Sequence, residues 1–285
     1  DVIDVINKVE FEKHIIIEEF HYLPLQTQKD FSISLKAYHE MSQVCFIIIG
    51  VWLENDRITS FNGDLTGRVK AINADLWNEA DMNRLLEKSE RMLNISVEDK
   101  FKRNLISKSN GNVFLVQRIC LKACQLSDIH FIQAERKTVG TNISIEDEIK
   151  DELGSQNARF RNFVMEFSKG YGKTDLNLYK WILFSILKSE REVIENGLYE
   201  KVVRNIIKES HPHKFKVTSP KLSQALSKSV ELQSKLEIKP IIFEYDENRT
   251  KIKIVDKYFL LWREYQDLDD LYELASIFND DEADD

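Results

Sequence analysis

Lys13-His14-Ile15-Ile16-Ile17-Glu18-Glu19-Phe20-His21-Tyr22-Leu23-Pro24 is the stretch on which the reading of the fold turns. Three consecutive isoleucines behind a basic dipeptide read as a short strand buried on both faces, the kind found in a parallel sheet. Two carboxylates follow at once and fall at the carboxyl end of that strand. In open α/β sheets this is the edge where ligands bind. An acid placed there costs desolvation energy unless a metal or polar partner offsets it. Phosphoryl-transfer enzymes use such a pair, one carboxylate holding Mg²⁺ and the other orienting the attacking water. The plainer reading is a buried strand whose end carries solubilising charge.

A helical segment at 30–41 is followed by Val44-Cys45-Phe46-Ile47-Ile48-Ile49-Gly50-Val51-Trp52, a second apolar strand. Strand, helix and parallel strand make the right-handed crossover unit. At these residues the chain resembles the ATPase core of the STAND and AAA+ branch of P-loop NTPases. Ile15-Ile16-Ile17-Glu18-Glu19 looks like a Walker B strand, and Phe46–Trp52 resembles the strand that carries sensor 1. The likeness continues through Gly63-Asp64-Leu65-Thr66-Gly67-Arg68-Val69 and Trp77-Asn78-Glu79-Ala80-Asp81-Met82. It ends in Ser109-Asn110-Gly111-Asn112-Val113, which resembles the start of a lid helix.

The resemblance implies a fold and a site. The fold is the C-terminal half of an α/β P-loop core with a parallel sheet (1–76), then a helical lid (77–128), a connector (129–157) and a C-terminal winged-helix domain (158–266). An acidic tail (267–285) follows. Glu18 would hold Mg²⁺, Glu19 would activate water, and Arg68 would reach the γ-phosphate of a neighbouring protomer as an arginine finger. Asn55 is the amide nearest the sensor 1 position. ATP and Mg²⁺ are the implied cofactors of the complete protein, and a homo-oligomer is the implied assembly. The implied role is an ATP-dependent switch in prokaryotic signalling or antiviral defence.

The phosphate-binding loop of such proteins lies upstream of the Walker B strand. The nearest match to G-x-x-x-x-G-K-[ST] is Gly172-Lys173-Thr174, which has Phe167 where the leading glycine belongs, follows a helical segment, and comes after the Walker B strand. It is rejected. The first residue is Asp, so the expectation is a C-terminal portion of a longer protein, with the upstream ATPase half and an effector domain as partners.

Composition sets outer limits. Charged residues at 31% and hydrophobic ones at 42% describe a globular protein with material for a core. No apolar run approaches the roughly 18 residues a membrane helix needs. Three cysteines form no paired framework, and a cytoplasmic setting is the economical expectation. Cys120, Cys124 and His130 fall short of the about four ligands of a closed metal site, so core packing is the better reading of the pair. His211-Pro212-His213 reads as a solvated loop.

Farther along, Met82, Leu85, Leu86 and Met92-Leu93 make one apolar helical stripe, with Asn78 or Asn94 as a cap. Helices are expected at 97–107, 113–125, 160–167, 176–188, 192–209 and 221–236, the last capped by Ser219 with Pro220 in its first turn. Ile129-His130-Phe131-Ile132 reads as a strand, and a domain boundary is expected near Gly154. Ile241–Tyr245 and Lys251–Val255 bracket a polar hairpin tip.

The chain's net charge is -8, yet residues 201–253 hold twelve Lys or Arg against six Asp or Glu. Lys214, Lys216, Lys221, Lys228, Arg249 and Lys251 are therefore the candidate DNA contacts of the winged helix. Two other readings stand beside the switch: an initiator-like DNA-binding module, and a degenerate ATPase serving as an interaction scaffold.

Overall fold

The computed structural model describes residues 2–50, 57–74, 77–172 and 174–278. Asn55 and the acidic 279–285 segment lie outside the described residues. The chain forms two compact units, Asp1–Ala74 and Asp75–Asp285.

The first unit runs α1 (Val2–Lys8), β1 (His14–Ile17), α2 (Leu25–Met41), β2 (Cys45–Ile48) and α3 (Arg57–Phe61). The two apolar segments pair in parallel, His14 opposite Cys45 and Ile17 opposite Ile48. Parallel neighbours need a crossover, and the seventeen-residue α2 supplies it. The ladder continues past the strand ends, with Ile49 N donating to Ile17 O at 2.8 Å and Phe20 N to Ile49 O at 3.1 Å. On the covered face, the rings of Phe31 and Tyr38 from α2 meet Phe46 edge-on at 5.5 and 5.0 Å.

The strands alternate, because successive side chains point to opposite faces. Ile15, Ile17, Phe46 and Ile48 are half-buried. Ile16, Ile47 and Ile49 are 58%, 43% and 48% exposed. The expectation of a strand buried on both faces is thus corrected: the aromatic cover lies on one face and the other is open. Residues 57–68 fasten onto α2 through Asn62 Nδ2 to Ser32 O at 3.1 Å and Lys36 to Asp64 at 2.7 Å, with Leu65 buried below.

The second unit begins with α4 (Glu79–Leu93), β3 (Ile95–Val97), α5 (Asp99–Ser109), α6 (Val113–Leu126), β4 (Lys137–Val139) and α7 (Ile145–Gly154). The Asn78 side chain caps α4 by accepting from Asp81 N at 2.9 Å, and Asn94 ends the helix in the left-handed conformation. Its inward residues are Met82, Leu86 and Glu90, four apart, whereas Met92 is exposed. Glu90 is tolerated inside because Val97 N donates to it at 2.7 Å and Lys102 Nζ at 3.0 Å.

β3 pairs with β4 in parallel, Ile95 opposite Lys137. Val97 therefore belongs to a strand, and the helix expected at 97–107 starts at Asp99. No strand forms at 129–132, where Phe131 and Ile132 are exposed; β4 occupies the ladder position beside β3 instead.

The chain continues through α8 (Asn157–Lys169), α9 (Leu178–Lys188), α10 (Arg191–Glu195), β5 (Leu198–Tyr199), α11 (Glu200–Ser210), α12 (Ser219–Ser227), α13 (Ser229–Lys235), β6 (Phe243–Asp246), β7 (Lys251–Ile254), α14 (Lys257–Glu264) and α15 (Leu268–Leu274). The sheet order is β5–β7–β6, antiparallel throughout, with Leu198 opposite Ile252 and Phe243 opposite Ile254.

Two expected helices are split. Gly197 at φ +90° breaks 192–209 into α10, β5 and α11, and a Cβ there would lie 2.8 Å from Lys251 Cδ. The segment 221–236 breaks at Lys228. The cap position of α12 is Thr218, with Pro220 in the first turn. Ser219 turns its hydroxyl to Glu200 instead.

One hydrophobic cluster runs from Met82 to Ile277, continuous across Gly154 because Ile149 and Leu153 of α7 join Phe160 and Phe163 of α8. At its centre the fully buried Trp262 packs between Phe160 at 5.2 Å and Phe259 at 5.8 Å, and its indole Nε1 donates to Asn157 Oδ1 at 3.0 Å. Among the described residues, no helix is long and apolar enough to cross a membrane.

Candidate functional site

β1 ends at Ile17, and both carboxylates that follow are exposed. Glu19 is left-handed at φ 56°, a conformation that costs a non-glycine residue of order 1 kcal/mol. It turns the chain into a short 3₁₀ segment, Phe20–Tyr22, held by buried Phe20 and by Tyr22 N donating to Glu19 O at 3.0 Å. Glu19 Oε2 stands 3.6 Å from Nε2 of His21, whose side chain is packed inward. Glu18 makes no ion pair or hydrogen bond among the described residues.

The acids therefore sit at the carboxyl edge of a parallel strand pair with oxygens toward solvent. Mg²⁺ at phosphate sites is held through one or two carboxylates plus phosphate oxygens and water. The pair fits that share of the task. The described residues include no cluster of three or more His, Cys, Asp or Glu that would hold a metal alone. They also offer no glycine-rich amide cradle: Gly172 follows α8, and Lys173 lies outside the described residues.

Arg68 pairs with Glu40 at 3.0 Å. Glu40 is in the last turn of α2, just before β2 begins, so this pair lies toward the amino edge of the strands. Glu18 and Glu19 lie at the carboxyl edge. The structure does not bring Arg68 to its own carboxylates.

Cys120 and Cys124 face the second unit's core, and burial pushes the Cys120 thiol up to about 12. Such a thiol stays protonated and is a poor metal ligand. His130 is exposed, 3.3 Å from Asp128. His211 contradicts its expected solvated loop: it is buried, accepts from His213 N at Nδ1 (2.8 Å), and so donates from Nε2 to Leu176 O at 2.9 Å.

Of the six candidate DNA contacts, Lys214, Lys216, Lys221, Lys228 and Arg249 are exposed. Lys251 is half-buried, its ammonium 3.2 Å from Asn196 O and 5.4 Å from the Tyr199 ring centroid. Arg249 Nη1 lies 3.6 Å from Asp246 Oδ2. These two cations are partly engaged at home.

Sequence reasoning missed Glu200. Its buried carboxylate accepts from Ser219 at 2.7 Å, Ser223 at 2.8 Å and Tyr245 at 2.5 Å. Burial pushes the carboxyl up, but those hydrogen bonds and the Arg204 charge outweigh it and leave Glu200 below its ordinary 4.5. Glu200, the Ser219–Ser223 turn and Tyr245 are far apart in sequence; an acid opening α11 was the only visible sign. Glu200 ties α11, α12 and β6 together and is structural. No known protein-family model matches this chain, and no curated protein sequence matches it.

Proposed function

We propose that this chain supplies the carboxyl half of a P-loop ATPase core of STAND/AAA+ type, a helical lid and a winged helix, and that it works as an ATP-dependent oligomeric switch. The observation that carries the reading is the parallel pairing of β1 with β2, with Glu18 and Glu19 directly after β1. The crossover helix α2 and the open Ile16–Ile47 face support it, since parallel sheets are ordinarily covered on both sides. The order α9, β5, α11, α12–α13, β6, β7 with sheet order β5–β7–β6 supports the winged-helix part of the reading.

Glu18 would be the Mg²⁺ ligand and Glu19 the group that orients water for attack. Held by Glu18, the ion would offset phosphate charge. The amides and lysine that cradle phosphates would come from a segment outside this chain. Arg68 would leave Glu40 to serve a neighbouring protomer's nucleotide. Prokaryotic signalling or antiviral defence is the setting we assign.

Glu19→Gln in the complete protein should stop ATP turnover while ATP stays bound. Unchanged turnover removes Glu19 from the mechanism. The 285-residue chain alone should show no micromolar ATP affinity by isothermal titration.

A further inference from the structure

In this chain of net charge -8, some cations pair with acids, as Lys36 with Asp64, Lys108 with Glu146, Lys122 with Glu148 and Arg191 with Glu264, while others, Lys88, Arg91, Lys201 and Lys208 among them, make no ion pair among the described residues. What sets one stretch apart is that it gathers four such cations around an exposed ring. Lys214, Lys216, Lys221 and Lys228 are all exposed, and none makes an ion pair among the described residues. They lie on the short turn Lys214–Lys216, on α12, which begins three residues later, and at the residue that caps its C-terminus, Lys228.

Helix α12 sorts its residues by face. Leu222, Ala225 and Leu226 are buried. Lys221, Gln224 and Lys228 are exposed, at the three- and seven-residue spacing that lines one side of a helix. Lys221 and Lys228 are thus about 10 Å apart along the axis at 1.5 Å per residue, with an amide between them. Past the break at Lys228, the first turn of α13 carries the exposed Glu231, and the cationic strip ends there.

Phe215 stands between Lys214 and Lys216 and is 91% exposed, with Lys214 Nζ 5.7 Å from its ring centroid. A single exposed ring means little by itself. An exposed ring flanked by unpaired cations, beside a helix whose outer face is lysine and glutamine, is the chemistry that grips a polyanion carrying flat apolar groups.

We propose that the 214–216 turn and the outer face of α12 form a binding surface for duplex DNA. The four lysines would neutralise phosphates. Gln224 is the side chain placed to read a base edge, since a major groove about 12 Å wide admits a helix and an amide pairs bidentately with adenine. Phe215 packs against sugar or base at the groove rim. Arg249 and Lys251, engaged by Asp246 and by Asn196 with Tyr199, contribute less. The surface is independent of ATP hydrolysis, so a Glu19→Gln variant binds DNA like the parent and the two ideas fail separately.

The test is fluorescence anisotropy of the 285-residue chain with a labelled duplex of about two helical turns, a single strand of equal length and polyglutamate, across a salt series. Four phosphate contacts give a log–log slope of about -3.6, so affinity falls roughly a hundredfold between about 50 and 200 mM salt. The Lys221→Ala, Lys228→Ala pair lowers the slope by about 2 with an unchanged circular dichroism spectrum. Phe215→Ala weakens binding by less than the lysine pair. No binding to the duplex at low salt overturns the proposal. So does a slope unmoved by the lysine variants. Equal affinity for polyglutamate points instead to an acidic protein, and preference for the single strand, with Phe215→Ala the costliest change, points to unpaired bases; either result also overturns it.

Discussion

Each of the two units carries small sheets, and β1–β2 of the first is finished differently from β5–β7–β6 of the second. In β1–β2 every residue from Ile15 to Ile17 and from Phe46 to Ile49 is apolar, yet Ile16, Ile47 and Ile49 face solvent. In β5–β7–β6 the strands mix Leu198, Ile252, Ile254 and Phe243 with Tyr199, Glu244, Lys251 and Lys253, yet the apolar members are all buried. Hydrophobic sequence therefore does not decide which strand is buried; the number of layers around it does. The second sheet belongs to a cluster built from α8, α9, α11, α12 and α14. The first has an aromatic cover on one face only.

The largest expected effect lies in the better-finished unit. Trp262→Ala removes a ring packed on Phe160 and Phe259 and leaves Asn157 Oδ1 without its indole donor. Such truncations cost about 3–5 kcal/mol. Urea unfolding followed by hydrogen exchange should show amides of the second unit losing protection while those of β1 and β2 keep theirs. Equal loss in β1 and β2 would show that the units unfold as one and break the comparison.

A smaller effect is expected at Glu200, where α11, α12 and β6 meet. Glu200→Gln places an amide NH₂ among hydroxyl donors and should cost about 1–3 kcal/mol. The carboxyl's pKa is below 4.5 in the folded chain, so its contribution is complete above the unfolded value and is lost as pH falls through the folded one. Stability of the parent should therefore drop below about pH 4.5 more steeply than that of the variant. Parallel pH profiles from urea midpoints would remove Glu200 from the acid sensitivity.

Local signals made much of this legible. The isoleucine runs announce β1 and β2, the polar 247–250 tip announces the β6–β7 hairpin, and Asn78 announces the start of α4. Where they failed, the reason lies in tertiary structure. Strands β3 and β5 are three and two residues long, too short for any period to show. Ile129–Ile132 looks like a strand, but the place beside β3 goes to Lys137–Val139. Gly197 was a visible sign against one helix over 192–209, since glycine in a helix interior costs about 1 kcal/mol relative to alanine.

The site divides in the same way. The placement of Glu18 and Glu19 directly after β1 was readable because the strand before them is continuous in sequence. The Arg68–Glu40 pair and the Glu200 network join residues far apart along the chain, which no spacing rule reports. The open face of β1–β2 was misread because a wholly apolar strand implies two covered faces, and this unit covers one.

The smallest expected effect is the sharpest test of that openness. Ile47 and Ile48 are adjacent in β2 with the same chemistry, and they differ only in the face they occupy. Ile48 is on the covered side, so Ile48→Ser should cost about 1–2 kcal/mol from lost apolar burial. Ile47 is on the open side, where Ile47→Ser should change stability by no more than about 0.5 kcal/mol. It should also reduce binding of an apolar dye such as ANS by the folded chain, because it interrupts the Ile16–Ile47–Ile49 patch. Ile48→Ser should leave dye binding per folded molecule unchanged. Equal costs for the two serines would mean that the chain covers both faces in solution, and the contrast between the sheets would fall. A near-zero cost at Ile47 with lost dye binding marks the face as open in this chain, and in an assembly that covers it the same substitution should become as costly as Ile48→Ser.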